Sequence, residues 1–155
     1  MKNVVNELRS IVTEFADRLN TIAPEELAVK TNPKKWSRKE VIGHLIDSAQ
    51  NNLRRFVVGQ YDQTANIIYD QDFWVRANDY QSMKAEEIIL LWKLLNERIC
   101  VVLTNMSDDA LKREVNTGKH IPELHSLEWL AADYVKHMKH HLNQVIPKSF
   151  DTTYP

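Results

Sequence analysis

Ile88, Leu91, Trp92, Leu95, Ile99, Val102, Leu103 and Met106 recur at steps of mostly three and four residues. Only an α-helix gathers such positions on one face, and that face needs other helices to bury it. The sequence supplies three more. Val4, Leu8, Ile11, Phe15, Leu19 and Ile22 form an earlier stripe that Pro24 closes. In the run Trp36-Ser37-Arg38-Lys39-Glu40, Ser37 and Glu40 have the separation of a capping box, which predicts a second helix from Arg38 to about Val58. Ser82 is the expected cap of the third helix, and Ser126 of a fourth running from Leu127 to about Ile146. Residues 59–81 show no clean period and read as a long loop, while Asn116, Thr117 and Gly118 mark a turn or small hairpin. The expected class is all-α, a four-helix bundle forming a single domain over residues 1–155. Two connections are too long for tight hairpins, so the pairing order of the helices stays open at this level.

Charge and composition exclude several kinds of function. Twenty Lys and Arg balance twenty-one Asp and Glu, so no net field recommends nucleic acid or an anionic membrane as a partner. No apolar run approaches the roughly 18 residues of a spanning helix, and Met1 opens an amphipathic pattern rather than a secretory signal. The sole cysteine, Cys100, has no internal partner, which agrees with a reducing compartment; a cytoplasmic location is expected. Cys100 lies beside the third stripe and reads as a small buried residue rather than a nucleophile. With three glycines and no βαβ alternation, a phosphate-binding loop is not expected.

The chemistry concentrates in the histidines. On the fourth helix Leu127, Leu130, Ala131, Tyr134, Met138, Leu142 and Val145 lie within about 60° of one direction. His141 falls inside that stripe at about 40°, His137 on its margin at about 80°, and His140 at about 140°, toward solvent. His137 and His141, four apart, can meet one metal ion, although such a pair also occurs in ordinary helices. On the second helix Val41, Leu45, Ala49, Leu53 and Phe56 form the apolar stripe. His44, Ser48, Asn51 and Arg55 form a second, hydrogen-bonding face resembling the wall of a cavity. Periodicity alone leaves His44 a surface residue.

WSRKEVIGHLIDSAQNNLRRF at 36–56, followed by SLEWLAADYVKHMKHHLNQV at 126–145, resembles the DinB-like superfamily, especially its branch of metal-dependent hydrolases and thiol transferases. The likeness spans most of the chain. It implies an up-down-down-up bundle in which one histidine of the second helix and two of the last hold a divalent metal with positions open to water. Those positions are His44, His137 and His141 here, and His140 is not among them. The resemblance further implies zinc or nickel as the ion and a small-molecule substrate. It also implies a low-molecular-weight thiol such as bacillithiol as cosubstrate if the reaction is a transfer, and a homodimer. No catalytic acid or base is assigned. Asn51, Arg55, Gln144 and Trp74, the last together with Tyr69 in the long loop, are the candidates for substrate contact or support of the ligands. Asp47 and Asp133, each one turn from a ligand histidine, read as surface residues. The competing readings are a non-enzymatic bundle stapled by a structural metal, which needs a fourth protein ligand that the sequence does not identify, and a metal-free interaction module.

Overall fold

The computed structural model describes residues 1–154. Four long helices, α1 (Lys2–Asn20), α3 (Arg38–Val58), α5 (Ala85–Thr104) and α7 (Leu127–Val145), carry the four stripes. Three short helices, α2 (Pro24–Ala28), α4 (Gln71–Asn78) and α6 (Asp108–Leu111), lie in the connections, and β1 (Glu114–Asn116) pairs antiparallel with β2 (Leu124–Ser126) as a hairpin before α7.

α1 and α3 both pack on α5 and both touch α7, so helices consecutive along the chain are not all neighbours in space. α3 and α7 run antiparallel: Ser48 faces His137, and Phe56 meets Tyr134 edge to face at 6.3 Å. α1 and α7 run parallel, since Met1 pairs with Glu128 and Arg18 bonds Ser149 just beyond α7. α3 and α5 also run parallel, with Tyr80, just ahead of α5, on Gly43 near the start of α3. The order is therefore up-down-down-up. Its core contains Leu8, Phe15, Leu45, Phe56, Trp92, Ile99, Tyr134 and Leu142, all at most 2% exposed. Each such side chain contributes roughly 1.5–3 kcal/mol of transfer free energy. No helix of the described residues is long and apolar enough to cross a membrane.

Two expectations change. Residues 59–81 are not all loop: Asp70 accepts from the backbone of Phe73 at 3.0 Å and starts α4, which buries only Val75 and is too short to show a stripe. Ser82 does not cap α5. Its hydroxyl bonds the Asp79 carboxylate, Asp79 being the left-handed residue (φ 46°) that ends α4, and Lys84 holds the cap position without a side-chain bond. The turn closing α4 has taken the serine.

Candidate metal centre

The start of α3 is fixed from both sides of its capping box. Ser37 Oγ accepts from the Glu40 backbone at 3.1 Å, and Glu40 Oε2 accepts from the Ser37 backbone at 2.7 Å. Ser126 likewise fixes α7 by accepting from Trp129 at 3.1 Å. With both registers set, the antiparallel contact brings three imidazoles together. His44 Nε2 lies 3.3 Å from His137 Nε2, and one nitrogen from each of His44, His137 and His141 falls within 4.8 Å of the others. His140 points aside, its ring near Gln144 and Tyr154.

The outer nitrogens are partly held. His141 Nδ1 meets Gln144 Oε1 at 3.1 Å, and His137 Nδ1 meets Ser48 Oγ at 3.4 Å. The Gln144 oxygen, which can only accept, fixes the His141 proton on Nδ1 and leaves its Nε2 a free lone pair, while the Ser48 hydroxyl orients the His137 ring. His44 is wholly buried, its ring 4.9 Å from that of Trp36, and its Nδ1 has no partner among the described residues. Burial first, then the charge of His141, drives the pKa of His44 down to about 3; the same causes, joined by His44, His140 and Arg55, bring His137 to about 2. Burial lowers His141 as well, against its bond to Gln144. The cluster is therefore neutral, the state in which imidazole ligates. Two nitrogens bound to one tetrahedral ion at about 2.0–2.1 Å stand about 3.3 Å apart, so the present spacing fits a divalent ion without rearrangement of this pair.

Around the cluster, several residues take roles that periodicity did not show. Asp47, expected at the surface, is fully buried: Oδ1 accepts from Tyr80 at 2.6 Å and from Asn78 at 3.0 Å. Gly43 makes this possible, since a Cβ there would stand 2.1 Å from the Tyr80 ring. Burial pushes the Asp47 carboxyl up to about 6, against both hydrogen bonds. Asp133 is also half-buried and accepts from Tyr154 at 3.1 Å. Tyr154 comes from the C-terminal tail, which Phe150 anchors by stacking on Phe15 at 5.0 Å, and its ring lies 5.4 Å from that of His137. Nothing in a stripe pattern could place it.

Of the residues singled out for substrate contact, Asn51 donates to the Asp47 carbonyl at 2.9 Å, while Gln144 accepts from His141 Nδ1 through Oε1 and donates to His140 Nε2 through Nε2, both at 3.1 Å. Arg55 reaches the carbonyl of Ile67. Trp74 packs its ring 5.7 Å from Tyr69, whose phenol burial raises while Ser48 and Arg55 act against that shift. An open cavity of about 860 Å³ is lined by Trp36, whose ring packs on His44, and by Gln144, which bonds His141, together with Val41, Gln71, Lys35 and Arg38.

Residues 7–145 match the family described as the DinB superfamily. The chain belongs to that superfamily. Among curated proteins it is 23% identical over 145 residues to "Putative metal-dependent hydrolase YfiT" of Bacillus subtilis, covering 91% of this chain and 79% of that one. A protein of Oceanobacillus iheyensis with the same description is 27% identical over 144 residues, covering 91% and 81%. Among solved structures, YfiT superposes with a TM-score of 0.83 at 22% identity over 93% of this chain and 82% of its own. A mycothiol-dependent maleylpyruvate isomerase superposes with a TM-score of 0.72 at 14% identity, covering 91% of this chain and 59% of its own. The bundle topology is thus that of YfiT, and DinB membership rests on the sequence match.

Proposed function

We propose that His44, His137 and His141 hold one divalent ion, zinc or nickel, and that the protein is a metal-dependent hydrolase or a low-molecular-weight-thiol S-transferase acting on a small molecule. The observation that carries this reading is the convergence of three neutral imidazoles, one fully and two partly buried, with Nε2 of His44 and His137 3.3 Å apart. When bound, the ion supplies a Lewis acid that acidifies a coordinated water or holds a thiol as thiolate. The chain's own residues do the rest. Ser48 and Gln144 orient the rings, Trp36 shields His44 from bulk water, and the cavity beside Trp36 and Gln144 admits a small molecule.

Three histidines leave coordination positions for water and substrate, which favours a reactive centre over a structural staple. The two reactions share this centre. The relatives described as metal-dependent hydrolases support the first, and the likeness in fold to a mycothiol-dependent isomerase supports thiol chemistry. A cytoplasmic location and a homodimer complete the proposal, and sedimentation checks the latter. Elemental analysis before and after chelation, followed by assay of the loaded protein against an ester panel and against bacillithiol with an electrophile, tests the reading. Metal-dependent turnover in either arm is expected; less than one tenth of an ion per chain after loading contradicts it.

A further inference from the structure

The polar face of α3 continues beyond the histidines. Ser48 Oγ, the partner of His137, is 3.3 Å from Asn52 Nδ2, and Asn52 Oδ1 accepts from Arg55 Nη1 at 3.3 Å. Arg55 Nε and Nη2 both donate to the carbonyl of Ile67, at 3.0 and 2.5 Å. Every one of these acceptors is neutral. A guanidinium has five N–H bonds, so two remain, one on each terminal nitrogen, with no acceptor among the described residues. Nor does any carboxylate of the described residues come within ion-pair distance of it. Asp133, whose charge does act on Arg55, receives the Tyr154 hydroxyl instead.

Hydrogen bonds through Asn52 and Ser48 connect this cation to His137. Seven residues of helical rise, about 10 Å, separate Arg55 from Ser48, and an arginine side chain on a helix leans back N-terminally over much of that gap. A half-buried cation beside a second cation is unfavourable, and a ligand carrying one negative charge relieves both. Two free N–H groups on a planar fork match the two oxygens of a carboxylate.

Building on the metal reading above, we infer that Arg55 is the carboxylate-binding residue of this site. It selects substrates that carry a carboxylate a few bonds from the atom meeting the metal.

The test uses a matched pair of probes, 3-mercaptopropionate and 3-mercaptopropionamide. Both are titrated calorimetrically into the zinc-loaded wild type, Arg55→Gln and Arg55→Lys, with zinc content measured on each. The wild type is expected to prefer the acid by about tenfold or more. Arg55→Gln loses that preference at unchanged zinc content, and Arg55→Lys keeps only part of it. Equal affinities in the wild type, or a preference undiminished in both variants, overturn the inference. Should Arg55→Gln fail to fold, Arg55→Lys alone decides, by a loss of about threefold or more against none. If the wild type holds no zinc, the metal reading falls by itself. Succinate and succinamide titrated into the metal-free wild type and Arg55→Lys then read the carboxylate subsite, with the same expected preference and the same overturning result.

Discussion

His44 on α3 and His137 on α7, ninety-three residues apart in sequence, hold their Nε2 atoms 3.3 Å from each other. Two neutral imidazoles at this distance share one Nε2 proton in a hydrogen bond, or present two lone pairs to one cation. The divalent ion of the proposed function would take the second arrangement.

Alanine substitutions should therefore sort the histidines. His44→Ala, His137→Ala and His141→Ala are each expected to weaken zinc affinity by about a hundredfold or more, whereas His140→Ala changes it by less than about threefold. Competitive titration with a chromophoric chelator measures this.

Metal removal should lower stability without unfolding the bundle, because the four-stripe core forms without the ion. With free zinc at about 100 times Kd, the loaded protein is expected to gain about 2.7 kcal/mol, a rise of roughly 5–11 °C in Tm for a chain of this size. Helical circular dichroism at room temperature should be unchanged by chelation; its loss would identify a structural metal.

The legible and illegible parts of this protein divide along physical lines. The four long helices were readable because each buries a face through several turns, and two of the three expected caps, Ser37 and Ser126, act as expected. α4 was not readable because eight residues burying one side chain leave no period. His137 and His141 stood out by spacing. His44 did not, because α3 has two buried faces and its polar one looks like a solvated face when read from a single helix. Asp47 was misplaced for the same reason: its cover, Tyr80, comes from outside α3 and sits where a glycine has no side chain. Tyr154 joins the site through tertiary folding of a tail that carries no pattern.

Gly43→Ala tests that cover. Its Cβ would collide with a Tyr80 ring that is itself buried, so a loss of about 1–3 kcal/mol is expected in chemical denaturation. A neutral result would mean that Tyr80 does not pack there.

Asp47 gives a pH dependence. Its carboxyl, raised to about 6 by burial, lies above the unfolded value near 3.9, so folding disfavours the ionised form. The penalty is full above about pH 6 and disappears below about pH 4. In the metal-free protein, Asp47→Asn is expected to raise stability by about 1–3 kcal/mol at pH 7.5, with the gain shrinking through that window. Urea melts of both proteins across the pH range follow it.

X-ray absorption at the zinc edge of the stoichiometrically loaded protein reads the coordination shell itself. Three imidazole nitrogens at about 2.0–2.1 Å, with the remaining shell filled by water oxygen, is the predicted result. A shell with fewer than two imidazoles, or one closed by a fourth protein ligand, would contradict the reactive three-histidine centre.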